Sequence, residues 1–368
     1  MLDFTSARYL GLRHPTGSLR PWAQLTTGRP AALATPASQV RVAQALARMQ
    51  GCEMATLRSS TLHLFWDLFG ALARGRVAIY MDAGTYPIAR WGVERAAARG
   101  VPVRSFPHHD PEALRQQLKQ DSRSGLQPLV VTDGFYPGRD RPAPIAAYLE
   151  AARDYGGQLI LDDTQALGIF GHSPGPDAPY GRGGSGSLRR SNVSSPDVLV
   201  VSSLAKGFGV PVAVLAGSEA MVRRFEASSE TRVHCSPPST SVIHAAEHAL
   251  AVNESFGDRL RLRLAQLVLY FRNKRKGICL SVTGGLFPVQ TLRPVPELNA
   301  ATLHDRLLQC GIRTALHRGP RISFLITARH KPSDIDGAAD ALGRIARIWS
   351  AKAKILEASH EVRTQYRV

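Results

Sequence analysis

The 368-residue sequence predicts an α/β protein: a mostly parallel sheet covered on both faces by helices, followed by a smaller α+β domain. Three observations carry this. The runs Val77–Met81, Val101–Phe106, Pro128–Thr132, Gln158–Leu161, Val198–Ser202 and Val212–Ala216 are largely apolar and read as strands buried on both faces. Helical patterns at Ile88–Arg99, Pro111–Gln120 and Ile145–Tyr155 separate most of them, the strand–helix–strand order of a parallel sheet. From Ser241 to Arg272 a long helical pattern leads into short strands (Leu286–Leu292, Ile322–Thr327) alternating with helices (Ala300–Cys310, Ile335–Ala351).

Three parts follow in order. Residues 1–36, rich in Arg, Pro, Gly and Thr without a clear period, form an N-terminal arm that packs on the body or on a partner subunit. Residues 37–245 form the large domain, opened by an amphipathic helix with Val40, Val42, Ala43, Leu46, Ala47 and Met49 on its apolar side. Residues 246–368 form the small domain. Within the large one, the glycine- and proline-rich stretch 172–196 breaks the rhythm and is expected to be a mobile surface excursion. No internal repeat is visible.

The net charge of +17 raises the question of a nucleic-acid partner. Nearly all of it is arginine, since only seven lysines occur: Lys119, Lys206, Lys274, Lys276, Lys331, Lys352 and Lys354. The arginines are scattered, with no stacking-aromatic motif, zinc-finger spacing or helix-turn-helix signal. A solvated surface is the simpler reading, and no nucleic acid is expected. Cys52, Cys235, Cys279 and Cys310 stand far apart with no CxxC pair, so neither metal nor disulfide framework is expected, and a reducing, cytoplasmic setting fits. The first residues lack a basic region followed by an apolar run, and no apolar stretch is long enough to span a bilayer.

Two constellations carry chemistry. In Leu159-Ile160-Leu161-Asp162-Asp163-Thr164-Gln165-Ala166-Leu167-Gly168 an apolar strand ends on an acid. Carboxyl ends of parallel strands are where α/β sheets bind ligands, and a carboxylate there can pair with a protonated ring nitrogen. A strand-terminating aspartate that caps the next turn reads the same. In Ser202-Ser203-Leu204-Ala205-Lys206-Gly207-Phe208-Gly209 a lysine follows a buried strand between small residues. Desolvation there favours the neutral, nucleophilic amine, and Ser203 can donate to a phosphate oxygen. An exposed loop lysine is the alternative, but lysine is scarce in a chain whose ordinary cation is arginine.

Together these stretches resemble the α-oxoamine synthase family of pyridoxal 5′-phosphate (PLP) enzymes, which includes 8-amino-7-oxononanoate synthases and glycine C-acetyltransferases. The similarity spans roughly residues 37–345. It implies the type I PLP-transferase fold, a large domain with a mostly parallel seven-stranded sheet plus the smaller C-terminal domain. By the resemblance, Lys206 is the Schiff-base lysine, Asp162 the acid on the pyridinium nitrogen and Ser203 a phosphate contact. Gln165 stands where the family has a histidine on the phenolic oxygen; an amide donates that bond without titrating. Ser59, Ser60 and Thr61, in Leu57–His63, match the turn whose amides hold the phosphate at a helix start. Tyr86, in Met81–Tyr86, replaces the histidine that stacks on the ring, and Asp133 matches the strand-end acid orienting the site. Ser236, in Val233–Pro238, lies in a loop that reaches the neighbouring subunit's phosphate, implying a homodimer with shared active sites.

Two departures fall on the substrate side. Pro137 replaces a serine near the cofactor ring, and Ser323 replaces the arginine that grips the amino-acid carboxylate. Arg321, two residues upstream on the same strand, faces the same side by alternation and is the substitute candidate. The implied function is an acyltransferase condensing an amino acid with an acyl thioester, carried by coenzyme A or an acyl carrier protein, through an external aldimine and a quinonoid carbanion. An aminotransferase on the same scaffold is the alternative. A nucleic-acid-binding or scaffolding protein that has lost activity is the reading from another class, and a nicotinamide enzyme is disfavoured because no GxGxxG follows the first strand.

Overall fold

Along the strands of the central sheet, successive apolar residues enter two different cores. Leu159 and Leu161 pack with Val130, Val198, Val200 and Tyr148, whereas Ile160 packs with Leu129, Val131, Leu199, Val201 and Phe65. This is the period-two alternation of a strand with an apolar layer on each face, and it explains why the runs read as continuously hydrophobic. Each such side chain, fully buried, contributes on the order of 1.5–3 kcal/mol.

The computed structural model describes residues 1–19, 24–138, 141–275, 280–293 and 299–365. Cys279, Lys276 and residues 20–23 of the arm lie outside them. The central sheet has seven strands in the order Met54–Arg58, Ala213–Gly217, Val198–Ser203, Gln158–Asp162, Gln127–Asp133, Val77–Asp82, Val103–Phe106. Only Ala213–Gly217 runs against the others. The helices Thr61–Leu72 and Pro87–Ala97 build one core, and Pro111–Asp121 and Ile145–Arg153 the other. The expected α/β class with a mostly parallel seven-stranded sheet is therefore the observed one.

The chain divides into two compact units. One comprises Leu10–Tyr136 and Arg141–Arg261, the other Met1–Tyr9, Pro137–Asp140 and Leu262–Val368. The division falls inside the helix Thr240–Lys274. The smaller unit holds an antiparallel sheet in the order Ala315–Leu316, Ile322–Leu325, Val289–Arg293, Ser281–Thr283. Leu2–Asp3 pairs in parallel with Ile312–Arg313. Phe4 is fully buried there, its ring stacked on His330 at 4.4 Å.

Three expectations need correction. The run Val101–Phe106 is not a buried strand: the strand is Val103–Phe106, it lies at the edge of the sheet, and only Phe106 in it is buried. Leu286 lies in the turn before Val289–Arg293, so that strand starts later than its apolar pattern suggests. Residues 172–196 are not a surface excursion as a whole. Residues 172–177 are exposed, as are Arg182, Arg189, Asn192, Ser194 and Pro196, but Tyr180, Ser185, Ser187 and Leu188 between them are buried. The cause is Arg261, which is 2% exposed: its guanidinium donates to the Gly168 carbonyl (3.0 Å) and to Asn253 (2.8 Å), and pairs with Asp258 at 2.7 Å. Asp258 in turn accepts the Gly183 N–H at 2.9 Å, and Asn253 donates to the Gly183 carbonyl at 3.0 Å. A Cβ on Gly184 would lie 2.4 Å from that guanidinium, so glycine here serves close packing.

Candidate active site

Strand alternation assembles the first pair of site residues. Val131 and Ile160 enter the same core, so Asp133 and Asp162, two residues further on, face that side at the carboxyl ends of their strands. The two aspartates are register partners on neighbouring parallel strands. Both are nearly buried, at 7% exposed. Burial raises the carboxyl of each, and the charge of Asp162 pushes Asp133 well up. Side-chain and backbone hydrogen bonds from Thr164 oppose this for Asp162, the backbone one at 3.0 Å.

Lys206 follows the strand Val198–Ser203 after a short turn. Its amine is depressed by burial, while Asp162 and Asp133 act in the opposite direction. The ammonium group stands 5.7 Å from the centre of the Tyr86 ring. Tyr86 caps the helix Pro87–Ala97, is half exposed, and donates its own N–H to Asp133 Oδ1 at 3.1 Å. Lys206, Asp162, Asp133 and Tyr86 are thus gathered around one amine.

Thr164, to which the sequence pattern assigns no role, ties the group together. Besides donating to Asp162, it accepts the Ser203 N–H on its hydroxyl at 3.1 Å. Ser203 Oγ accepts the Ala205 N–H at 3.2 Å and so shapes the turn into Lys206. A threonine two residues past a strand end is too common to have signalled this role. Gln165 lies half-buried in the same turn.

Ser60 caps the twelve-residue helix Thr61–Leu72, but its hydroxyl is not spent on the helix amides. It bonds His63 Nδ1 at 2.7 Å instead. First-turn amides without a side-chain cap suit an anion, because the helix dipole adds to their own donors. Exposed Ser59 reaches the Ser236 carbonyl at 3.5 Å, which brings the exposed loop at 236 beside this helix start. Behind it, buried Arg58 donates to Thr56, the Leu57 carbonyl and Ser229. Asp67 takes the hydroxyls of Ser229 and Thr231, fixing the start of the segment that leads to Ser236.

In the other unit, Arg321 precedes the strand Ile322–Leu325 instead of lying within it, and its N–H turns onto the Gly319 carbonyl at 2.7 Å. Its carbonyl accepts the His317 N–H at 3.1 Å, so the antiparallel pairing runs one residue past the strand start. Ser323 is fully buried and bonds Thr291 and His317, each at 2.7 Å. Burial and the charge of Arg321 both depress the His317 imidazole.

This donor set suits a phosphorylated pyridine aldehyde. A desolvated amine, a buried acid able to take a ring N–H⁺, an aromatic face and an anion-ready helix start are all present. A cavity of about 380 Å³, lined by Arg76, Tyr80, Asp121, Gln127 and Gly156, lies at the amino ends of the strands, away from these groups. Among the described residues no helix is long and apolar enough to cross a membrane.

Residues 65–342 match the family described as aminotransferase class I and II. The 8-amino-7-oxononanoate synthase of Pseudescherichia vulneris is 30% identical over 259 residues, covering 68% of this chain but only 63% of that relative. The one from Klebsiella pneumoniae (strain 342) is 28% identical over 358 residues, covering 93% and 88%. Among solved structures, a serine palmitoyltransferase variant from S. paucimobilis with bound PLP–myriocin superposes with a TM-score of 0.82 at 17% identity, covering 95% of this chain and 88% of that one. The 8-amino-7-oxononanoate synthase of Francisella tularensis gives 0.70 at 18% identity, covering 95% and 98%. The chain belongs to the aminotransferase class I and II family and is a pyridoxal phosphate-dependent transferase.

Proposed function

We propose that the protein is a C-acyltransferase of the α-oxoamine synthase type, joining an amino acid to an acyl thioester. The observation that carries the reading is the desolvated Lys206 amine facing Asp162 and Asp133, in a chain whose curated relatives are named 8-amino-7-oxononanoate synthase. When bound, PLP supplies an electrophilic carbonyl and an electron sink.

The chain's own residues do the rest. Lys206 would hold the cofactor through Nζ, which burial shifts toward the neutral, nucleophilic amine. Asp162 keeps the ring nitrogen protonated, with Thr164 orienting its carboxylate. Asp133 holds the Tyr86 turn, and Tyr86 covers a ring face. The helix start at Ser60 and Thr61, with Ser59 and Ser203, receives the phosphate, and Gln165 donates to the phenolic oxygen. Once displaced, Lys206 Nζ takes or returns the substrate's α-proton. Arg321 is the candidate for the amino-acid carboxylate.

The exposed Ser236 segment supports a homodimer in which it completes the partner's site. A fully active monomer in light scattering would rule this out. A cytoplasmic setting, where amino acids and acyl thioesters meet, suits the reaction. The substrate test is free-thiol release. Release that requires both an amino acid and an acyl thioester supports acyl transfer. The family description also fits an aminotransferase, which would convert an amino donor to its oxo acid with no thioester present.

A further inference from the structure

Asp82 and His108 take no part in the chemistry above, yet they form the most heavily bonded polar cluster beside it. Asp82 ends the strand Val77–Asp82 and is fully buried. Alternation points it, with Tyr80, to the face opposite Asp133 and Asp162. Its Oδ1 accepts the Gly84 N–H at 2.7 Å and lies 2.6 Å from His108 Nδ1. Its Oδ2 accepts the Tyr148 hydroxyl (2.9 Å), the His109 N–H (3.1 Å) and, more weakly, the Thr132 hydroxyl (3.5 Å). A carboxylate only accepts, so His108 Nδ1 carries the hydrogen, leaving the buried Nε2 with no hydrogen-bond partner.

The backbone is strained to build this cluster. His109 sits at φ 60°, a left-handed conformation a non-glycine residue adopts only when held there. Gly84 is required, since a Cβ on it would lie 2.2 Å from His108 Nδ1. Asp82, His108 and His109 also stand close enough to suggest a metal. The 2.6 Å separation argues otherwise, because two ligands of one tetrahedral zinc stand about 3.3 Å apart.

The cluster instead anchors the turn that carries Tyr86. Ala83 N–H donates to the Phe106 carbonyl (2.9 Å) and Thr85 N–H to the Asp82 carbonyl (3.0 Å). The Thr85 hydroxyl reaches the Val131 carbonyl (3.3 Å), and Arg90 holds the Thr85 carbonyl (2.7 Å). The next residue places its N–H on Asp133 and its ring toward Lys206. We infer that Asp82 and His108 are positioning residues: from behind the sheet they fix the turn that holds Tyr86 between Asp133 and the Lys206 amine. The inference rests on the reading of Lys206 as the reactive lysine. The titratable and charged groups facing the cluster are His109, Tyr148, Asp133, Tyr136, whose ring stands 5.1 Å from that of His108, and Arg90 on the turn, with Asp110 acting on Tyr148, and Asp162 and Lys206 beyond Asp133.

Two amide substitutions separate positioning from packing. His108→Asn places an N–H where Nδ1 stands, and His108→Gln places it where Nε2 stands. The cofactor-free protein is acetylated with acetic anhydride across a pH series, and modification of Lys206 is read by peptide mass spectrometry. His108→Gln is expected to loosen the turn, admit water to Lys206 and move the midpoint of its profile up by about half a pH unit or more. His108→Asn should keep the parental midpoint. Identical profiles for the two variants, both parental or both shifted, would overturn the inference. Lys206 labelling needs no cofactor, so an error in the cofactor reading shows separately, as a borohydride adduct on another lysine.

Discussion

Asp163, the neighbour of the proposed cofactor acid, offers a prediction with a magnitude. It is 1% exposed; Oδ2 accepts the Ser187 N–H at 2.8 Å, and the Ser187 hydroxyl stands beside the same carboxyl group. Oδ1 and that hydroxyl occupy the space a Cβ on Gly134 would fill. Burial pushes the carboxyl up from its ordinary 3.8 to about 7, against the pull of Ser187. The folded state therefore binds this proton more tightly than the unfolded chain. The resulting stabilisation is complete below pH 3.8 and is lost as pH rises through about 7. At 1.36 kcal/mol per pH unit, the full loss above that range is about 4 kcal/mol.

Asp163→Asn retains the shape of the protonated acid without the charge. Its amide oxygen can accept the Ser187 N–H, and its amide nitrogen faces the Ser187 hydroxyl. Denaturant unfolding at pH 5 and pH 8 should show the variant gaining on the parent, with the advantage growing by roughly 2–3 kcal/mol between the two. A difference that stays flat with pH, or a variant that loses stability more at pH 8 than at pH 5, would refute the reasoning.

Two further outcomes follow from the site. Asp162→Asn should keep the fold but lower turnover on the order of a thousandfold, since the ring nitrogen loses its partner; near-parental turnover would make this acid structural only. Arg321→Ala should raise the apparent Kd for the amino acid about tenfold, equivalent to about 1.4 kcal/mol, in a titration followed by absorbance. Unchanged binding would leave Arg321 as a residue of the turn before its strand.

The strands that line the site were legible because both faces of the sheet are covered. Leu159, Ile160 and Leu161 divide between two cores, so every position is apolar up to the functional acid. Met54–Arg58 escaped notice for the opposite reason. It carries Thr56 and Arg58, polar residues that its burial tolerates only because Glu226, Ser229 and the adjoining carbonyl receive them. Glu226 and Ser229 are distant in sequence, and no local pattern announces them. The stretch 172–196 misled in the same way, its glycines reading as surface loop until Asn253, Asp258 and Arg261 supply its partners. In the site, Lys206 and Asp162 stood out by position and scarcity. Thr164 and the Asp82–His108 pair did not, because their roles exist only through strand register and the turns that follow it.

The account stands most directly on Lys206. The purified protein with PLP should absorb near about 420 nm, and borohydride should abolish that band and fix the cofactor covalently. Peptide mapping is expected to recover the reduced adduct on Lys206 alone among the chain's seven lysines. Recovery of the adduct on any other lysine, or a parental spectrum in Lys206→Ala, would contradict the account.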